Sequence, residues 1–149
     1  MKLLYESKYQ ILLHSEKDSM LISDWKQETK TLNEEKYLTE IHKLFSYFRR
    51  FKPLRYFCDI SNVNTNLSEE AHAFTANLFK EEKAKFSAIV TNKIDIHPSV
   101  EAIVNELEII AEDFVNRYFH DKTQGMNWLL NCGNGPTIVK SFQVTANQQ

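Results

Sequence analysis

The side chains able to do chemistry are few and scattered along the chain. Asp59 lies near the end of the apolar run 54–61 (LRYFCDIS). A carboxylate there stands at the carboxyl end of a buried strand, the edge at which open α/β sheets place ligands. Such a group contacts a ligand, moves a proton, or caps the polar loop 62–66 by accepting from backbone amides. Capping is the simplest of these, because nothing nearby in the sequence supplies a partner base. Asn62 and Asn64 add polar side chains to the same loop, and Ser68 opens the helix that follows it. With Glu69 and Glu70 after it, Ser68 reads as an N-cap followed by an acidic first turn. Ser68, Asp59, Asn62 and Asn64 are therefore the candidate regulatory or binding residues, and no catalytic residue is assigned. His72 could approach Asp59 across the sheet edge. A histidine in the first turn of a surface helix is ordinarily solvated or satisfied locally, so an enzyme built on this pair ranks last among the functional readings.

The rest of the inventory excludes more than it suggests. The five histidines (His14, His42, His72, His97 and His120) form no metal-ligand spacing with one another or with Cys58 and Cys132, so no metal and no cofactor is expected. Three glycines in 149 residues leave no material for a phosphate cradle, and no Gly-x-Ser-x-Gly elbow exists for a nucleophilic serine. Cys58, inside an apolar run, reads as a buried inert thiol. Eighteen basic and 20 acidic residues give a net charge of -2, without the basic excess of a nucleic-acid binder. A basic cluster (Arg49, Arg50, Lys52, Arg55) and an acidic one (Glu106, Glu108, Glu112, Asp113) read as solvated helix faces, each alternatively half of a protein contact. The 42% hydrophobic content is that of a globular domain, and every apolar run is too short to span a membrane. The first residues, MKLLYESKYQILLH, carry no export signal, so a cytoplasmic location is expected.

These residues must be positioned by elements that the spacing of apolar side chains makes legible. Residues 9–14 and 19–25, separated by four polar residues, read as a β-hairpin. Tyr37, Leu38, Ile41, Leu44, Phe45 and Phe48 then recur at helical spacing. Asn33 is placed as the N-cap of that helix, Leu32 and Tyr37 as its hydrophobic staple, and Pro53 as its stop. Residues 54–61 and 86–91 are buried-type strands. The intervening helix carries Ala71, Phe74 and Leu78 on its inward stripe, and another helix starts at His97-Pro98. Residues 114–119 (FVNRYF) suit a strand or the end of that last helix, and 122–130 suits a short helix with Trp128 and Leu129 inward.

The order of elements and several local patterns resemble the STAS domains, specifically the SpoIIAA-like group related to anti-sigma-factor antagonists. The residues carrying the resemblance are the hairpin ending at Trp25, the strand end CDISNV at 58–63, the helix start at Ser68, and YFHDKTQGMNWLL at 118–130. It favours a strand for 114–119. It implies an α/β fold: a mixed, largely parallel sheet of four to five strands with helices packed on it and an N-terminal β-hairpin. One such domain would fill residues 1–131, with 132–149 an extension holding one short strand at 137–144 and a disordered tail. In phospho-switched members of the family a serine at the start of the second helix is modified, and the comparable position is Ser68. The family's Asp-Ser-Ser/Ala-Gly pattern is missing, however, with Leu67 in place of the aspartate and two glutamates following.

The function implied is a non-enzymatic regulatory module that presents the loop and helix of 62–74 to a protein partner, with homodimerisation through 137–144 a further option. The alternative is a small-molecule or lipid-binding module, because the group is also compared with CRAL-TRIO lipid-transfer domains and the chain is rich in phenylalanine.

Overall fold

In the computed structural model, residues 1–63, 68–91 and 115–133 are described. Asn64, Leu67, the helix expected from His97, the acidic cluster at 106–113, Phe114 and the strand expected at 137–144 lie outside them.

Strands β1 (Lys2–Glu6), β2 (Gln10–Ser15) and β3 (Met20–Trp25) form an antiparallel meander. A short 3-10 helix (Gln27–Thr31) leads into α1 (Glu34–Phe51), and β4 (Arg55–Asp59), α2 (Glu69–Glu81), β5 (Phe86–Val90), β6 (Val115–Phe119) and α3 (Lys122–Asn131) follow. The strands lie side by side in chain order, and β3 to β6 are parallel. The α/β class and the hairpin at β2 and β3 follow the sequence, and 115–119 is a strand. Among the described residues the sheet has six strands instead of four to five, the addition being β1. Its residues alternate poorly between buried and exposed, with Leu3 54% exposed, and pairing with β2 rather than burial holds it in place through an irregular register at Leu3 and Tyr5.

Local chemistry sets the helix ends. The Asn33 side chain accepts from the Lys36 amide at 2.8 Å, capping α1 as its residue type requires. The helix closes at Lys52, left-handed at φ 44°, immediately before Pro53. Alternation along the strands divides the sheet into two faces. Leu12, Leu21, Tyr56 and Cys58 pack against α1 and α2 on one side, and Met20, Ile22, Phe57, Phe86, Ala88 and Val90 pack against Trp128 and Leu129 of α3 on the other. Helix α3 approaches closely because position 125 is glycine; a Cβ there would stand 3.3 Å from the Phe119 ring. On α2 the fully buried positions are Ala71 and Thr75, while Phe74 and Leu78 are only half-buried. The expected stripe is thus rotated slightly, in keeping with the 2.7 Å hydrogen bond between the Tyr37 and Thr75 hydroxyls.

Two buried polar arrangements tie these layers together. Glu40, 4% exposed, accepts from the Tyr5 hydroxyl at 3.0 Å and from Gln10 Nε2 at 2.9 Å, while Ser23 donates to Gln10 Oε1. This network crosses from α1 to β1, β2 and β3. Arg55 corrects the expectation of a solvated basic cluster. Arg49, Arg50 and Lys52 are exposed, but Arg55 is buried at the start of β4, where its guanidinium donates to the carbonyls of Asp18, Leu129 and Cys132. It joins the β2–β3 turn to the end of α3, where a cation also meets the negative pole of the helix. The core accordingly extends to Cys132, which is 1% exposed.

Replacing Arg55 with leucine removes the guanidinium from the carbonyls of Asp18 and Cys132 and leaves that of Leu129 with the Cys132 amide alone. Urea denaturation is expected to show a loss of about 3 kcal/mol, against less than about 0.5 kcal/mol for Arg49→Leu at an exposed helix position.

Candidate functional site

The four polar candidates do not form a single reactive constellation. Asp59, 7% exposed at the end of β4, accepts through Oδ1 from the Ser61 amide at 3.0 Å and from the Ser61 hydroxyl. Its other oxygen lies 3.6 Å from Lys122 Nζ, which also stands 3.3 Å from Oδ2 of Asp24, the neighbour of Asp59 in register on β3. The carboxylate holds the turn at the strand end and pairs with the first turn of α3. Asn62 is exposed and is used structurally: its Nδ2 donates to the Trp25 carbonyl at 3.4 Å, and its own carbonyl accepts from Thr29 at 3.0 Å. Asn64 lies outside the described residues.

Ser68 caps α2, with Oγ accepting from the Ala71 amide at 3.1 Å. Its own amide donates to Glu34 Oε1 at 3.1 Å, and hydrogen bonding from Ser68 holds the Glu34 carboxyl below its ordinary range. The sequence shows Glu69 and Glu70 beside Ser68; folding adds Glu34 from another helix. Three carboxylates therefore surround the position at which a phosphate would add roughly two negative charges. His72 faces elsewhere, into a cavity whose wall does not include Asp59. Among the described residues no three His, Cys, Asp or Glu side chains gather as metal ligands.

That cavity, of about 180 Å³, lies between the helices and the sheet on the α1–α2 side. Tyr37, Ile41, Leu44 and Phe48 of α1 form one wall, and Thr75 and Phe79 of α2 form another. Tyr56, Cys58, Ser87, Ile89, Asn116 and Tyr118 supply the floor from β4, β5 and β6. Polar groups in this setting ordinarily find partners, and Tyr37 and Thr75 find each other. The Tyr56 hydroxyl, beside Ser23 and Cys58, and Asn116 Oδ1 are buried without a hydrogen bond of ordinary geometry among the described residues, and a buried polar group left wholly unpaired costs about 1–3 kcal/mol. The phenylalanine content suggests a ligand-binding module as an alternative but does not say where in the fold a cavity would lie. The available signal was the polar character of Tyr56, Ser87 and Asn116 at sheet positions facing the helices.

Burial keeps the thiols and several phenols of the core protonated. It pushes the thiols of Cys58 and Cys132 and the Tyr37 hydroxyl up to about 12, and the Tyr56 hydroxyl well above its ordinary value. Cys58 is the inert thiol its apolar neighbours imply.

Ser68→Ala is expected to lower stability by about 1 kcal/mol, the usual worth of an N-cap, in chemical denaturation. A pH series gives a second expectation. The folded chain keeps protons that the unfolded chain releases from about pH 9 upward, so the unfolded state binds fewer protons and stability falls with rising pH. The urea midpoint should hold below about pH 9 and decline steadily towards pH 12.

No protein-family model matches the chain, and no curated protein matches it.

Proposed function

We propose that the chain is a non-enzymatic binding module of SpoIIAA/STAS-like type that shelters a small, mainly apolar molecule between its helices and its sheet. The cavity of about 180 Å³ carries this reading. Its volume exceeds the roughly 150 Å³ of an engineered apolar cavity that takes up benzene, and is smaller than the roughly 300–1,000 Å³ of a drug-sized site. The occupant is thus ring-sized, not a whole lipid, which narrows the CRAL-TRIO comparison to its general manner of binding. Support for the family type comes from the element order, with α1 between the parallel strands β3 and β4 and α2 between β4 and β5, and from the Trp-Leu helix that follows β6. A cytoplasmic location is part of the proposal and is supported by two free, buried cysteines. No helix among the described residues is long and apolar enough to cross a membrane.

A second reading has its own observation. Asn62, Ser68, Glu69 and Glu70 are all exposed at the strand-end rim, and Glu34 hydrogen-bonds to Ser68 beside them. An acidic rim of this kind suits a basic face on a protein partner, the docking role expected for 62–74.

Toluene tests the first reading. Bound at a few times its dissociation constant it contributes about 1 kcal/mol and raises the melting temperature by about 2–4 °C. Ser87→Leu, which fills the cavity floor, should abolish the rise. An unchanged melting temperature in the unsubstituted protein at toluene saturation would refute the reading.

A further inference from the structure

The floor of the cavity has an order that an apolar pocket does not need. Tyr56, Ser87 and Asn116 stand opposite one another on β4, β5 and β6, forming one cross-strand row of polar residues on the face covered by α1 and α2. Tyr56 is 2% exposed and packs against the rings of Phe48 and Phe79, so its position is fixed by aromatic contacts. Its hydroxyl has Ser23 and Cys58 as polar neighbours but, among the described residues, makes no hydrogen bond of ordinary geometry, and neither does the Asn116 side-chain oxygen two strands away. The first group donates and accepts; the second accepts. Buried polar atoms left in this state within a cavity wall are the groups by which a site orients a ligand. Among the described residues no charged side chain accompanies them on the floor. The basic side chains on the wall among the described residues are Lys83, which follows α2 and is exposed to water, and His72 in the first turn of α2.

We infer that the cavity selects a neutral, ring-sized molecule carrying a hydroxyl or N–H group, a phenol or an alcohol in preference to a hydrocarbon or a carboxylate, and that Tyr56 and Asn116 make the selection. This rests on the cavity being a ligand site. The chemistry fixes the direction of the preference. A phenol hydroxyl gives up its water on entering, so without a partner inside it binds more weakly than the matching hydrocarbon; paired with Asn116 and Tyr56 it recovers that loss.

Calorimetric titration with toluene, p-cresol and 4-methylbenzoate, which share a methylated ring, separates the outcomes. The unsubstituted protein should bind p-cresol at least as tightly as toluene and 4-methylbenzoate at least about tenfold more weakly than p-cresol. In Tyr56→Phe and Asn116→Leu, p-cresol should lose about tenfold or more while toluene is unaffected or gains. Toluene binding about tenfold tighter than p-cresol in the unsubstituted protein would overturn the inference and leave the cavity reading in place. Tighter binding of 4-methylbenzoate would shift recognition to Lys83 or His72 and overturn it equally. Absence of binding by all three probes would remove the cavity reading and this inference with it. The comparison in the unsubstituted protein decides the matter even if a variant fails to fold.

Discussion

A guanidinium buried at one end of the central parallel strand organises much of this molecule. Arg55 reaches backwards to the β2–β3 turn and across to the end of α3, donating to the carbonyls of Asp18 and Cys132 and adding a second donor to that of Leu129, which already accepts from the Cys132 amide. At the opposite end of β4, Asp59 does the complementary work, accepting from Ser61 and pairing with Lys122 at the start of α3. Helix α3 is thus fastened at both ends to one strand by charges of opposite sign, with Trp128 and Leu129 packed on the sheet between them. The three residues of β4 that lie between the charges are Tyr56, Phe57 and Cys58, alternating between the two faces.

The consequences for the two faces differ. On the α3 side the close approach at Gly125 and the small Ala88 leave little room. On the other side the helices are spaced by bulkier groups. Phe45, Phe48, Tyr56 and Phe79 pack edge to face, and the hydroxyl bond between Tyr37 and Thr75 holds α1 and α2 at a set separation. Rings that brace one another in this way do not collapse into the space between them, which gives a physical reason for a cavity in an aromatic-rich core.

What the sequence discloses follows the range of the interaction concerned. Helix α1 is legible because Asn33, the Leu32 and Tyr37 pair and Pro53 all act within a few residues of its ends. Ser68 as an N-cap and Asp59 as a turn-holder are equally local. Residues 115–119 are ambiguous in isolation, because none is fully buried, Arg117 being exposed and the others intermediate, and the parallel pairing with β5 decides their conformation. Arg55 could not be placed, since its carbonyl partners at Leu129 and Cys132 lie 74 and 77 residues away. Strand β1 escaped because pairing, not burial, defines it. A ligand-binding module was only an alternative, and the cavity's place could not be read, because composition reports how much aromatic volume a chain carries and not how that volume is arranged.

Because the strands stand in the sheet in the order in which they occur in the chain, each pairs only with its immediate predecessor and successor. No connection has to skip a place and return, and the entropy of closing each loop is incurred once, for one new ladder. The sheet can therefore grow outward from its middle by successive additions, without a late strand having to insert between two that are already paired. Topology of this kind favours rapid, stepwise assembly despite the parallel pairing of its later half.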